Sequence, residues 1–183
     1  QPDLASRAGR AALAIQAAFE QAAAHNEHAL AGFRVGMGLA TGRAVAGKIG
    51  TVDQVKVTAF GPVVNLAARL ESMTRTFRTP ILIDQATADR VSREIPSSEA
   101  HARLLAWVRP YGMQSDLPIY ELRGGVSDPQ ADSADDCYQQ ALQAFRCGRW
   151  PEARRLWQPQ RVHDPAAAFL LEFMSERADV VPT

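Results

Sequence analysis

Asn65 and Arg69 stand four residues apart within residues 56–71, KVTAFGPVVNLAARLE. An amide both donates and accepts hydrogen bonds, so it can orient a hydroxyl-bearing ligand, whereas a guanidinium stays charged and forks onto phosphate oxygens. On a helix, that spacing puts both groups on one face. The stretch predicts such a helix: a β-branched run, then Gly61 and Pro62, then Val63, Val64, Leu66, Ala67 and Leu70 at helical spacing. Pro62 suits the first helical position, where its missing N–H is no loss, and Gly61 allows the reversal before it. A strand that turns directly into a helix is a common setting for phosphate chemistry.

Other elements must position this pair. Residues 3–25 read as an amphipathic helix in which Leu4, Ala8, Ala11, Ala12, Ile15, Ala18, Phe19 and Ala22 form the apolar stripe. From Phe33 to Ile49 the pattern turns to β, with Gly36, Gly38 and Gly47 leaving bare backbone that another segment or a ligand can approach. Residues 42–48, GRAVAGK, match the spacing of a phosphate-binding P-loop up to its lysine. Yet Ile49 stands where Ser or Thr would hold magnesium, and Gly50 where a helix should start, so the segment is read as a strand. A loop at 50–54 precedes a strand over 55–60, and the pivotal helix runs to about Phe77, before Thr79 and Pro80. ILID is a short buried strand, residues 85–94 a short helix, and ARLLAWV and DLPIYELR two late strands joined by RPYGMQS.

Bulk numbers narrow the class. A chain of 183 residues with 46% hydrophobic and 22% charged residues is long and apolar enough for a globular domain with a small appendage. Lys plus Arg equals Asp plus Glu at 20 each, without a basic block, so no footprint for nucleic acid or a membrane surface is present. No apolar run approaches the roughly 18–20 residues of a spanning helix, and the expected setting is cytoplasmic. Cys137 and Cys147 read as buried free thiols of a reducing compartment.

After Arg123 the character changes. Residues 124–134 read as a small-residue, acidic linker, and residues 135–183 as an α-helical hairpin closed by a further helix from about Pro165 to Arg177. Tyr138, Ala141, Leu142, Phe145, Gly148, Trp150, Ala153 and Leu156 resemble one tetratricopeptide-like unit. A lone repeat cannot bury both faces, so it is expected to dock on the main domain or on another chain.

The central stretch resembles the class III nucleotidyl cyclases, the adenylate and guanylate cyclase family, through Thr58, Gly61, Asn65, Leu66, Ala67, Ala68, Arg69, Leu70 and Glu71. The likeness continues through GMGLATGRAVAGKIG, TPILIDQAT and IYEL, and covers roughly residues 5–123. It implies an α/β (α+β) fold: a ferredoxin-like, antiparallel-rich sheet with helices on one face, incomplete at its N-terminus and followed by the helical hairpin. The implied activity is conversion of ATP to 3′,5′-cyclic AMP and pyrophosphate at the interface of a homodimer, for signalling under an upstream sensor or regulatory domain.

By the same resemblance Asn65 holds the ribose, Arg69 stabilises charge on the α-phosphate, and Thr58 stands where members of the family select the purine. For the triphosphate the candidate is Arg109, in place of a lysine usual in the family, with Lys48 and Lys56 as alternatives. Pro62 replaces a common Asp and Val57 a common Tyr. The Mg2+ or Mn2+ ligands of the family are two aspartates that precede the first helix, so no metal ligand is expected in this chain. It would supply the Asn/Arg half-site and be inactive alone. A catalytically silent dimerisation module, a guanylate cyclase, and a peptide-binding helical repeat are the competing readings.

Overall fold

The computed structural model describes residues 3–24, 33–51, 54–110, 114–125 and 129–177, with the side chains of 49–51, 54–56 and 129–132 left out. In chain order the elements are α1 (Leu4–Ala24), β1 (Met37–Leu39), β2 (Val45–Thr51), β3 (Gln54–Phe60), α2 (Pro62–Phe77), β4 (Ile81–Asp84), α3 (Gln85–Glu94), β5 (Ala100–Val108), β6 (Leu117–Gly124), α4 (Pro129–Arg146), α5 (Trp150–Trp157) and α6 (Pro165–Glu176). A single 3-10 turn, Gln158–Gln160, joins α5 to the loop before α6.

Four strands form the main sheet in the order β1-β4-β6-β5. β1 runs parallel to β4, while β6 is antiparallel to both β4 and β5. β2 and β3 pair with each other as a separate antiparallel ribbon, Val45 opposite Phe60 and Gly47 opposite Thr58. The ribbon strands reach Thr51 and restart at Gln54, which shortens the loop expected at 50–54.

Helices cover both faces of the sheet, not one. Ile81 and Ile83 of β4 pack with Ala12 of α1 and with Ala88 and Val91 of α3. Leu82, between them, faces the other way and joins Leu70 and Phe77 of α2 and the residues of α4, α5 and α6. A strand with four consecutive buried residues, ILID, is the mark of a sheet covered on both sides.

Three further expectations are corrected. In α1 the buried residues are Ala5, Ser6, Gly9 and Ala12, whereas Leu4 and Ile15 are 55% and 45% exposed. Small residues let the helix approach α3 and β6 closely, and a Cβ at Gly9 would already lie 3.4 Å from Leu122. Second, α4 starts at Pro129, within the span read as a linker. Proline is well suited to a first helical position, and the acidic residues that follow favour a helix N-terminus. Third, both cysteines are free, but Cys137 is half-buried and Cys147 exposed.

The C-terminal helices dock on the sheet through a buried charge cluster. Arg103 of β5 is 4% exposed, Glu121 of β6 7% and Asp164, which caps α6, 8%. The Arg103 guanidinium donates to Glu121 at 2.7 Å and to both carboxylate oxygens of Asp164, and reaches Asp135 of α4 at 3.4 Å. Its carbon lies 4.2 Å from the centre of the Tyr138 ring. Burial opposes its charge, but the bond to Asp164 and the nearby carboxylates outweigh that, and its pKa is raised. Burial likewise pushes the Asp164 carboxyl up, while Arg103 and the Ala167 amide pull it further down, below the usual 3.8.

A bulge next to Arg103 adds backbone bonds. The β5–β6 register slips between Leu104 and Ala106. The Tyr138 hydroxyl donates to the Leu105 carbonyl at 3.1 Å, and Gln139 donates to that of Leu104 at 2.8 Å.

Removing one partner of a buried charge pair leaves the other uncompensated. Asp164→Ala is therefore expected to lower stability by about 3–5 kcal/mol in urea unfolding. Asp164→Asn, which keeps a capping acceptor, should lose less. Because the folded carboxyl titrates below its unfolded value of 3.8, its contribution is complete above that pH and is lost as pH falls through the depressed value. Acid unfolding followed by circular dichroism should show a shallower loss below about pH 4 in Asp164→Asn than in the parent. Equal acid sensitivity of the two would contradict the assignment.

Candidate active site

Backbone geometry fixes the direction of α2. Gly61 has φ 145°, a conformation that side chains resist, and a Cβ there would lie 2.9 Å from the Arg43 carbonyl oxygen. Pro62 is the first helical residue, and the Val64 amide closes the first turn onto the Gly61 carbonyl at 3.0 Å. The reversal expected from Gly61 and Pro62 is thus present.

A second glycine sets the depth of α2 against the sheet. A Cβ on Gly38 of β1 would lie 2.2 Å from the Ala67 carbonyl oxygen and 2.3 Å from the Glu71 nitrogen, both backbone atoms of α2. Only bare backbone lets helix and strand approach this closely, with Leu70, Thr74 and Phe77 buried in α2. Gly38→Ala is expected to push α2 outward and to destabilise the protein by about 1–3 kcal/mol, measured by thermal or urea unfolding.

The opposite face of α2 carries the candidate pair. Asn65 is exposed and Arg69 half-buried. Among the described residues, neither side chain engages a hydrogen-bond or ion-pair partner, and the nearby Glu71 pairs with Arg75 at 3.8 Å. A structural arginine of this kind would be expected to hold a carboxylate; Arg69 is left with its donors available.

Thr58 is half-buried on β3, opposite Gly47, where a Cβ would meet nothing within 4 Å. It lies on the ribbon that leads into α2. The same ribbon exposes Val45 (72%), Val57 (75%) and Phe60 (45%). An isolated two-stranded ribbon is marginal in water, and apolar side chains exposed on it mark a surface for association.

Arg109 follows the end of β5, exposed, and pairs with Asp116 at 2.8 Å. It borders a groove shared with Met73 and Thr76 of α2. These lie four and seven residues beyond Arg69, hence on its face of the helix. Lys48 is exposed on β2, and the side chain of Lys56 lies outside the described residues. Residues 42–48 run into strand β2 without a following helix, so the P-loop spacing has no P-loop structure. Asp84 ends β4 and is buried, accepting from the amides of Thr87 at 3.0 Å and Thr41 at 3.3 Å. Among the described residues no group of three carboxylate, imidazole or thiol side chains is placed to hold a metal ion, since the acids that do converge, Glu121, Asp135 and Asp164, are taken up by Arg103.

Comparison with known proteins identifies the family. The adenylate and guanylate cyclase catalytic domain matches residues 2–103. An adenylate cyclase 1 of Rhizobium meliloti is 32% identical over 123 residues, covering 67% of this chain and 18% of that protein. The terminal-differentiation-specific adenylate cyclase of Dictyostelium discoideum is 29% identical over 153 residues, 73% of this chain and 7% of that one. The chain thus spans less than a fifth of these relatives.

Among solved structures, the guanylyl cyclase Cya2 aligns with a TM-score of 0.54 at 27% identity, over 70% of this chain and 62% of that one. A bacterial light-regulated adenylyl cyclase aligns at 0.55 and 20% identity, covering 72% and 37% of the two chains, and supports the fold alone. With the family's strand, tight glycine turn and polar-faced helix all present, and with more than half of its residues matched, the chain belongs to the adenylate and guanylate cyclase catalytic domain family.

Proposed function

We propose that this chain supplies one half of an ATP-cyclising site, completed by a second subunit. The observation that carries the reading is Arg69: half-buried, without a described partner, on one helical face with Asn65. In the reaction the ribose 3′ oxygen forms a bond to the α-phosphorus, the bond from that phosphorus to the bridging oxygen of the β-phosphate breaks, and pyrophosphate leaves. The hydroxyl proton passes to a base outside this chain.

Asn65 donates to and accepts from the ribose and so holds the 3′ oxygen in line. Arg69 meets the charge that grows on the α-phosphate, where a guanidinium already in place needs little reorganisation. Thr58 reads the adenine amino group, and Arg109 exchanges Asp116 for the triphosphate, which an exposed pair permits at little cost. The described residues offer no ligand set for the divalent ions of the family, so none is assigned here. The exposed apolar ribbon is the contact to the second subunit. Residues 1–123 form the catalytic unit, joined through 124–128 to a tetratricopeptide-like brace that begins with α4, in a cytoplasmic signalling protein under an upstream sensor.

The test is complementation. This chain alone should make no cyclic AMP. Mixed with a cyclase chain that carries the metal-binding carboxylates but lacks its own arginine, it should restore turnover. Arg69→Ala in this chain should then lower kcat about 100-fold with little change in KM. Unchanged turnover in verified heterodimers would remove Arg69 from the mechanism.

The named adenylate cyclases and the guanylyl cyclase structure leave the purine as the finer question. Thr58→Val should reduce the preference for ATP over GTP in kcat/KM by about tenfold, measured in the same mixed dimer. An unaltered ratio would favour a selector elsewhere.

A further inference from the structure

A groove of about 280 Å3 opens where α2, the end of β5, α4 and α6 meet. Met73, Phe77, Trp107, Phe145, Phe169 and Phe173 form most of its wall. Among the described residues its polar side chains are those of Thr76, Arg109 and Arg146, and no carboxylate lines it. Arg146 lies over the Trp107 ring, 3.6 Å from its centre, and among the described residues it has no carboxylate partner. Arg109 holds Asp116 in a pair whose side chains are 63% and 56% exposed, a weak and exchangeable contact. The proposed cyclase chemistry uses none of these aromatic side chains.

We propose that this groove binds a small amphipathic carboxylate, its apolar body among the rings and its head group on Arg146. An apolar interior with guanidiniums and, among the described residues, no acid in its lining disfavours a cationic ligand and offers a neutral one only hydrogen bonds without charge pairing. A triphosphate matches no better, because most of its charged oxygens would be buried against aromatic carbon. At about 30 Å3 per water-sized group, the volume suits a body of about eight to ten carbons. The floor of the groove is α2, one and two turns beyond Arg69, so an occupant would press on the helix that carries the candidate site. Binding itself does not depend on the cyclase reading.

The experiment uses the 183-residue chain with 13C-labelled methionine methyl groups. Met73 lines the groove, and Met37, on β1 in the core on the other side of the sheet, is the internal control. Decanoate, kept below its micelle concentration, should shift Met73 saturably and leave Met37 in place. Decanol should bind about tenfold more weakly or worse, and decyltrimethylammonium should not bind. Arg146→Gln, an exposed position that should not disturb folding, should weaken decanoate about tenfold, and Arg146→Lys should restore part of the loss. No saturable shift, equal binding of decanol, or an unchanged affinity in Arg146→Gln would each overturn the proposal. So would displacement of decanoate by inorganic tripolyphosphate at equal affinity, which would give Arg146 to the nucleotide.

Discussion

Arg103 holds together parts of the chain that are far apart in sequence. Its guanidinium joins β5 to Glu121 of β6, to Asp135 of α4 and to Asp164 at the start of α6. Arg123 adds bonds to Glu121 at 2.7 Å and to Asp135 at 3.0 Å, so two cations share three acids. A buried ion pair gains little over a hydrophobic replacement of the same shape, yet breaking one is costly. Its effect is therefore on specificity: helices α4 and α6 have one position in which these charges are all met. The wider apolar core, with Tyr138, Trp157 and Met174 fully buried, supplies the bulk of the docking energy.

From that anchor the constraint reaches α2. Phe169 of α6 meets Phe77 of α2 edge-to-face, ring centres 5.0 Å apart. Next to it, Arg78, in the left-handed conformation that ends α2, pairs with Glu172 at 2.6 Å. Both members of that pair are more than 40% exposed, so the ion pair is worth at most about 1 kcal/mol and the aromatic contact dominates. On its inner side α2 lies against the bare backbone of Gly38. Held by close packing at β1 and by aromatic packing at α6, the helix leaves Asn65 and Arg69 outside both contacts.

Much of this site could be read from sequence, because it is local. Glycine and proline at 61 and 62, with an apolar helical repeat after them, dictate a strand, a turn and a helix wherever they occur. The placement of Asn65 and Arg69 on one face follows from their spacing alone. What escaped depends on distant residues. The phase of α1 was unreadable because alanine recurs on several faces, and only the neighbours decide which face is buried. The acids at 132, 135 and 136 have the composition of a linker, but Asp135 belongs to a helix and to Arg103. Nothing local marks Arg103 in ARLLAWV as a buried charge, since its partners lie 18, 32 and 61 residues away. Arg109 is similar: its sequence position shows neither Asp116 nor the aromatic groove beside it.

The two edges of the main sheet are managed differently. At one, β5 receives α4 side chains on the carbonyls of Leu104 and Leu105 and is sealed by the Arg103 cluster. At the other, β1 pairs only with β4 among the described strands, and the ribbon that follows it carries exposed valines and Phe60. An unpaired edge next to an apolar ribbon invites a further chain, whereas the sealed edge does not. Thr58 lies on that ribbon and α2 begins directly after it, so a subunit meeting the protein on its open side would arrive at Thr58 and Asn65. On the proposed reading, association is restricted to one side by where the C-terminal helices dock, and the buried arginine that fixes them shapes the candidate site without touching it.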